Sequence, residues 1–376
     1  PVAAACTPGV PLDLTQTTYL FDFLANSDSN VQGTPKALAD FEYGVIVNGY
    51  NNGLLGGWTA AGLINTLGCR LIGGDWKLVW GPGVYEIDTA SGKADNTAFV
   101  VYSPSQDTYI LAIAGTDASA ILDWLVEDFE VGPNLLVNWP YTATQPPVVA
   151  TKNPKQQQIS LGTAKGLYFL LNNLVQSTNA PLPNLTLSQY LSHLQSKSAA
   201  TRLIVTGHSL GGALSPTVAN WAKMTMTGSA WQGQIFAMPT AGPSPGNQAY
   251  AAAWDKVFPK TTVPTNPGNQ VQSLNTLIYN QWDLVPHAWD KISTPLPFAN
   301  GNYFSGWNAL RLLRPKGGYY NVTSQMGQLH FAAGKESVAL FSAVSLANRA
   351  GSKAYMKGSS QRLEIPGAWP LSVTQQ

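Results

Sequence analysis

Strand-like and helix-like patterns alternate along the middle of the chain. The runs Thr97–Tyr102 and Tyr109–Ala114 are rich in β-branched and aromatic residues and are joined by a short polar segment, which predicts a β-hairpin. Between Gln157 and Val175, apolar residues recur at spacings of three and four, as in an amphipathic helix. The later part of the pattern predicts strands at Arg202–Thr206, Ile235–Met238 and Thr276–Tyr279 and helices at Gly211–Lys223 and Gln248–Val257.

Such alternation is typical of α/β proteins, and it predicts a central, mostly parallel sheet covered by helices on both faces. The length of 376 residues suits one large open-sheet domain. We expect an N-terminal extension of about 30–90 residues, because the first ~30 residues lack clear periodicity and are expected to wrap the surface. Helices are predicted at Ala37–Val47, opening the folded core, and at Glu336–Ala347.

The charge content narrows the possible partners. Charged residues make up 11% of the chain, less than half of the roughly 25% that is typical of soluble domains. The formal net charge is +1 and no window carries a Lys/Arg cluster, so nucleic acid is not an expected partner. No apolar run approaches 18 residues, so no transmembrane anchoring is predicted. The sequence leaves the oligomeric state open.

Several features favour a secreted protein. The two cysteines, Cys6 and Cys69, suit a disulfide in an oxidising compartment better than a four-ligand metal site; two unrelated buried thiols are the alternative. Glycosylation sequons occur at Asn184–Thr186 and Asn321–Thr323. A chain that starts at Pro1 is compatible with removal of a signal peptide.

The segment Gly207–Gly211 is a G-x-S-x-G pentapeptide between a predicted strand and a predicted helix. In that context the glycines permit a sharp turn that presents the serine hydroxyl at the sheet edge, above a helix N-terminus that favours negative charge. Ser209 is therefore the predicted nucleophile. The N–H group of Leu210 is the predicted first donor of an oxyanion hole. His208 is expected to pack, since the neighbouring side chain on so tight a turn points elsewhere.

Four segments in order along residues 97–286 resemble conserved elements of the class 3 lipase family, the fungal-lipase-like branch of the α/β hydrolases. They are the nucleophile segment Thr206–Leu214, Ile113–Thr116 with Asp123–Leu125, the strand exit Pro239–Pro243, and Asn280–Pro286. The resemblance implies an α/β-hydrolase fold and carboxylic-ester hydrolysis. No cluster of His, Cys or Asp has metal-ligand spacing, so no metal or organic cofactor is implied.

In α/β hydrolases the acid and then the histidine follow the nucleophile along the chain. Asp283 is the predicted acid because it follows a predicted strand and lies in a family motif; Asp255 and Asp290 also follow the nucleophile. His330 is favoured as the base because it comes from a loop separate from that of Asp283. His287, only four residues beyond that aspartate, is the alternative.

The resemblance further implies Thr116 as the second oxyanion donor. Ala114 departs from the family pattern, which usually has Arg at this position. Residues 117–129 form an amphipathic segment that is predicted to be a lid over an acyl groove, with an ordinary surface helix as the alternative. Trp124, within that segment, and His208 are the candidates for substrate contacts.

These features together predict a secreted serine hydrolase, a lipase or esterase that cleaves acyl esters such as triacylglycerols, with an oil–water interface as the expected site of action on lipids. A phospholipase A1, a galactolipid hydrolase or a feruloyl-type esterase would use the same machinery. From a different class, a non-catalytic α/β-hydrolase scaffold that acts as a binding module is the second hypothesis.

Overall fold

A computed structural model describes the protein over much of its first 287 residues and in three short strands beyond them. Residues 117–129, both cysteines and the predicted helix Glu336–Ala347 lie outside the described residues. The described residues are 12–29, 31–48, 50–51, 59–60, 64, 72, 75–87, 92–115, 135–226, 230–267, 269, 271–279, 285–287, 329–330, 360–363 and 371–374.

A mixed eight-stranded sheet forms the centre of the fold, in the order β14-β13-β10-β9-β5-β4-β3-β8. Its five neighbouring strands from β14 to β5 are parallel, and β4, β3 and β8 continue it in antiparallel pairs. These strands are β3 (Lys77–Tyr85), β4 (Asn96–Ser103), β5 (Thr108–Ile113), β8 (Val175–Gln176), β9 (Arg202–His208), β10 (Gln234–Thr240), β13 (Ile278–Tyr279) and β14 (Leu329–His330).

Four two-stranded antiparallel pairs lie outside this sheet. They are β1 (Tyr50–Asn51) with β2 (Thr59–Ala60), β6 (Leu136–Asn138) with β7 (Gln158–Ser160), β11 (Thr261–Thr262) with β12 (Ser273–Leu274), and β15 (Ser360–Leu363) with β16 (Leu371–Thr374).

Helices cover both faces of the sheet, as the alternating pattern predicts, and the α/β class is confirmed. They are α1 (Leu14–Leu24), α2 (Pro35–Tyr43), α3 (Leu161–Asn172), α4 (Leu187–His193), α5 (Leu210–Met226) and α6 (Gln248–Val257). Neighbouring strand residues point to opposite faces: Val100 belongs to the core shared with α3 to α6, whereas Phe99 and Val101 belong to the core shared with α1 and α2. The central strands are thus buried on both sides.

The predicted hairpin is confirmed as β4 and β5, in register from Ala98 opposite Ile113 to Ser103 opposite Thr108. The helix predicted from Gln157 begins later, at Leu161, because Gln158–Ser160 pairs with β6 as strand β7. Ser160 then caps the helix: its hydroxyl oxygen accepts a hydrogen bond from the N–H group of Thr163 at 3.0 Å.

The expectation that the first 30 residues wrap the surface is wrong for α1. Asp13 caps this helix in a reciprocal capping box with Gln16, and Phe21 and Leu24 are buried in the core. Burial of such side chains stabilises a fold by roughly 1.5–3 kcal/mol each. The helix has no clean amphipathic pattern because Thr17, Thr18 and other polar residues are buried as well.

Two carboxyl groups are buried where α1 and α2 meet the sheet. Asp28 Oδ2 accepts a hydrogen bond from the Thr97 hydroxyl at 2.6 Å, and the Ser27 hydroxyl donates to Glu42 Oε2. The second carboxyl oxygen of Glu42 is buried and has no hydrogen-bond partner among the residues that the structure describes. Burial raises the pKa of Asp28 to about 7. Burial, together with the charge of Asp28, raises the pKa of Glu42 well above its usual range.

This pair predicts a stability that falls as the pH rises. The folded protein binds these protons more tightly than the unfolded chain, so the contribution of each group is complete below its pKa in the unfolded chain. The contribution of Asp28 is lost as the pH rises through about 7, and that of Glu42 also decreases with rising pH. We expect the free energy of unfolding of the wild-type protein to decrease by roughly 1–4 kcal/mol between pH 5 and pH 8. Asp28→Asn should flatten this dependence in urea unfolding curves. An equally steep decrease in Asp28→Asn would contradict the assignment.

Candidate active site

Ser209 occupies the single residue between β9 and α5. Its φ is +55°, in the left-handed region that non-glycine residues rarely adopt, and its side chain is only 2% exposed. The Ser209 N–H group donates to the carbonyl oxygen of Thr240 at 3.0 Å, and its own carbonyl accepts from Ala213 N at 3.2 Å, which starts the helix. Backbone strain of about 1–3 kcal/mol at a single residue is characteristic of functional sites.

The two flanking glycines are required by close backbone contacts. A β-carbon on Gly207 would lie 2.4 Å from the carbonyl oxygen of Gly211, and one on Gly211 would lie 2.2 Å from that of Ile113. Both distances are far below contact distance, and backbone atoms cannot move away as a side chain can. The glycines of the pentapeptide therefore allow α5 to start directly against the ends of β5 and β9.

Leu210, the predicted first oxyanion donor, is the first residue of α5 and is 5% exposed. The first N–H groups of a helix have no partner within the helix, and the helix dipole places partial positive charge at the same end. An oxygen that gains negative charge beside Ser209 would be stabilised there.

The strand register brings the predicted catalytic segments to one edge of the sheet. His208 lies opposite Thr240, Thr240 opposite Ile278, and Tyr279 opposite His330, all in parallel pairs. The segments that leave β9, β13 and β14 consequently start side by side. His330 ends β14, at the same edge as Ser209. Asp283, four residues past β13, lies outside the described residues, as do Thr116 and Trp124.

His208 packs against Phe23, with ring centroids 5.4 Å apart and ring planes inclined by 44°. Burial lowers the pKa of His208 to about 4, so its imidazole is neutral at neutral pH. The expected packing role is consistent with this contact, and its predicted contact with substrate stays a prediction.

The alternative acid Asp255 lies near the end of α6. The preceding residue, Trp254, donates its indole N–H to the carbonyl oxygen of Pro216 at 2.9 Å. Pro216 lies seven residues beyond Ser209, which is about 10 Å along a helix. Burial raises the pKa of Asp255 to about 6, and neither carboxyl oxygen has a hydrogen-bond partner in the described part of the chain. The residue before Asp255 thus contacts the middle of α5 rather than its start, and the choice of acid stays a prediction. The alternative base His287 ends a 3₁₀ turn, Val285–His287.

Sequence reasoning gave no role to Thr240, although it lies within the Pro239–Pro243 motif. Its carbonyl oxygen holds the Ser209 N–H group, and its hydroxyl donates to Asp22 at 2.6 Å. Asp22 comes from α1, which the sequence pattern did not predict, so no sequence signal linked these residues.

The described part of the chain contains no cluster of three or more His, Cys, Asp or Glu side chains arranged to hold a metal ion. None of its helices is both long enough and apolar enough to cross a membrane.

Part of the chain, including the turn at Ser209, is similar to a known protein family. Residues 142–291 match the family of class 3 lipases. This match confirms the resemblance seen in the sequence and, with it, the expected enzyme class, a carboxylic ester hydrolase. No curated protein matches the chain.

Among solved structures, M37 lipase is 24% identical in sequence and has a TM-score of 0.61, and the alignment covers 89% of each chain. This likeness confirms the α/β-hydrolase fold. A propeptide complex of Rhizomucor miehei lipase is 17% identical with a TM-score of 0.41, over 73% of this chain and 61% of the other. LIP2 lipase of Yarrowia lipolytica is 16% identical with a TM-score of 0.39, over 73% of this chain and 75% of the other.

The close packing at the start of α5 can be tested with Gly211→Ala. The added methyl group would overlap the carbonyl oxygen of Ile113, so we expect a loss of about 3 kcal/mol or more in unfolding free energy, or a displaced helix start. Gly166→Ala in α3 is the matched control, because its methyl group meets only the end of the Leu214 side chain, at 3.0 Å. Thermal and urea unfolding should show a change within about 1 kcal/mol for the control. Equal effects of the two substitutions would contradict the packing argument.

Proposed function

We propose that the protein is a serine carboxylic-ester hydrolase of the lipase type, with Ser209 as the nucleophile. The observation that carries the proposal is the strained turn at Ser209, which places a serine directly before the N-terminus of α5. The family match supports the same reaction class.

In the proposed mechanism, His330 takes the proton of the Ser209 hydroxyl while the serine oxygen attacks the ester carbonyl carbon. Asp283 orients the imidazole, and the N–H groups of Leu210 and Thr116 bind the negative oxygen of the tetrahedral intermediate. The alcohol leaves with the proton from His330. Water, activated by the same histidine, then attacks the acyl-enzyme and releases the carboxylic acid. Parallel pairing of β13 with β14 supports this assignment, because it starts the two loops side by side.

The proposed substrates are acyl esters of lipids, triacylglycerols first. The amphipathic segment 117–129, with Trp124, is the proposed lid, which would open at an oil–water interface. A phospholipase A1 or a feruloyl-type esterase is the alternative within this class. Hydrolysis of p-nitrophenyl esters from acetate to palmitate, beside an emulsified triacylglycerol and a phospholipid, separates these alternatives.

An extracellular location is also proposed. Asn184, the acceptor residue of the first sequon, is exposed, as N-glycosylation requires. Thr186, the third residue of that sequon, caps α4. A shift in mass on treatment of the naturally produced protein with a glycosidase would support this location.

Ser209→Ala should lower kcat for ester hydrolysis by roughly 10³–10⁶-fold while the protein stays folded, since only one hydroxyl is removed. Ser215→Ala is the matched control: this serine lies in α5, the helix that follows Ser209, and its buried hydroxyl has no hydrogen-bond partner among the described residues. Its removal should leave kcat within about twofold and stability unchanged or slightly higher. A serine-reactive phosphonate should label the wild type and Ser215→Ala but not Ser209→Ala.

Normal ester hydrolysis by folded Ser209→Ala would refute the proposed nucleophile. A wild-type protein that neither hydrolyses esters nor reacts with the phosphonate would favour a non-catalytic binding module instead.

The choice between the two histidines is tested by His330→Ala and His287→Ala. Loss of the base should reduce kcat about as much as loss of Ser209, and a Ser209→Ala/His330→Ala double variant should be hardly worse than either single one, because the two residues act as a unit. His287→Ala should cost about 10-fold or less, as expected for a supporting residue. The opposite ranking in folded variants would assign the base to His287 and reopen the choice of acid.

A further inference from the structure

The end of helix α1 contacts the ends of three central strands. Asp22 lies in the last turn of α1, and Asn26, in the turn that follows, is joined to it by a hydrogen bond to its carbonyl oxygen. Asp22 reaches Thr240 at the end of β10, and Asn26 reaches Gly115 just past the end of β5. Between them, Phe23 packs against His208 at the end of β9. The mechanism proposed above uses none of these α1 residues.

Asn26 binds the backbone at the point where β5 stops. Ala114 N still donates to the carbonyl oxygen of Thr97 on the neighbouring strand at 2.8 Å, whereas Gly115 N donates to Oδ1 of Asn26 at 2.7 Å. The Asn26 side-chain nitrogen in turn donates to the Asp22 carbonyl oxygen at 3.0 Å, which directs the amide oxygen toward Gly115.

Gly115 lies directly against the nucleophile. A β-carbon at Gly115 would be 2.6 Å from the carbonyl oxygen of His208 and 3.0 Å from Cβ of Ser209. The next residue along the chain is Thr116, the proposed second oxyanion donor. The hydrogen bond from Gly115 N to Asn26 therefore holds the residue immediately before that proposed donor.

Asp22 supports the other side of the same site. The Thr240 hydroxyl donates to Asp22 Oδ2 at 2.6 Å, and the Thr240 carbonyl oxygen accepts from Ser209 N at 3.0 Å. Asp22 is completely buried, so this contact is shielded from water. The last turn of α1 and the turn that follows it thus hold both the backbone before Thr116 and the backbone around Ser209.

We infer that Asn26 is a positioning residue for ester hydrolysis, which sets the oxyanion hole by fixing Gly115 relative to Ser209, with Asp22 holding the nucleophile side through Thr240. The inference rests on the proposed function. A donor that is displaced by less than 1 Å stabilises the transition state less while binding the substrate as well as before. Loss of Asn26 should accordingly reduce kcat rather than raise KM.

The test compares the full-length wild type with Asn26→Ala, which lacks the acceptor, and Asn26→Asp, which keeps an acceptor oxygen of the same reach. Asn269→Ala is the control: Asn269 ties the other end of α1 to the fold by donating to Asp13 Oδ2 at 2.8 Å and Thr15 Oγ1 at 2.9 Å. This variant weakens the attachment of α1 without touching the site. If Asn26→Ala does not fold, Asn26→Ser, whose shorter side chain cannot reach Gly115, replaces it.

The substrates are p-nitrophenyl butyrate, below its solubility limit, and its thiono analogue, in which sulfur replaces the carbonyl oxygen. Sulfur is a weak hydrogen-bond acceptor and benefits less from the oxyanion hole. We expect Asn26→Ala to lower kcat for the oxygen ester by about 10–100-fold while KM stays within about threefold of the wild-type value. The ratio of kcat for the oxygen ester to kcat for the thiono ester, which measures the preference for oxygen, should decrease. Asn26→Asp keeps the acceptor for Gly115 N but loses the donor to the Asp22 carbonyl oxygen, so it should recover only part of kcat. Asn269→Ala should keep both kcat and the preference.

If the wild type is active and Asn26→Ala has the same kcat and the same preference for the oxygen ester, the inference is overturned and the proposed function stays intact. Equal losses of kcat in Asn26→Ala and Asn269→Ala, at equal losses of thermal stability, would also overturn it. A wild type that neither hydrolyses the esters nor reacts with a serine-directed phosphonate would overturn both the inference and the proposed function.

Discussion

The hydrogen bond from Ser209 N to the carbonyl oxygen of Thr240 links the nucleophile to the centre of the sheet. The chain has one residue in which to change from strand β9 to helix α5, and that residue adopts a φ of +55°. Only a fixed neighbouring strand can maintain such a conformation, because the unsupported backbone would relax to a more favourable region. The order β5-β9-β10 places a strand on each side of this turn, and the rest of the site depends on that arrangement.

The rigidity of the turn comes from burial on both faces of the sheet. Leu203 and Val205 of β9 pack on the side of α3 to α6, and Ile204 packs on the side of α1 and α2. The same dense packing buries three carboxyl groups, those of Asp22, Asp28 and Glu42, although apolar side chains at these positions would cost less to bury. Asp22 contacts Thr240 next to the nucleophile, whereas the other two lie in the contact between the N-terminal helices and the sheet. Buried polar groups of this kind lower stability but specify one arrangement of the chain.

The parts of the fold that are coded locally could be predicted from the sequence. The hairpin of β4 and β5, helix α6 and the strand–turn–helix around Ser209 all have short-range patterns, and the glycine contacts explain why the pentapeptide is so specific. Helix α1 could not be predicted in the same way, because its buried face includes the polar residues Thr15, Thr17 and Asp22. Two of them form hydrogen bonds with distant residues, Thr15 with Val271 and Asp22 with Thr240.

The site could be predicted only in part for a related reason. Ser209 is marked by its neighbours along the chain, and the register of β13 and β14 places His330 at the expected edge. The contribution of Asn26 arises from a hydrogen bond to a residue 89 positions away, and no periodicity or motif in the sequence reports such a contact. The assignments of Asp283 and Thr116 depend on the family resemblance and stay predictions.

The contacts of α1 also constrain the order in which the chain can fold. Its partners come much later in the sequence: Asp22 meets Thr240 across 218 positions, and Thr15 meets Val271 across 256. During synthesis this helix emerges long before the strands against which it packs, with Phe21 and Leu24 still exposed to water. Contacts between such distant residues form slowly, because a long loop must close first. A nascent chain that has not yet reached β10 therefore carries an undocked helix with an exposed apolar face, and such a face promotes aggregation until the strands that cover it are made.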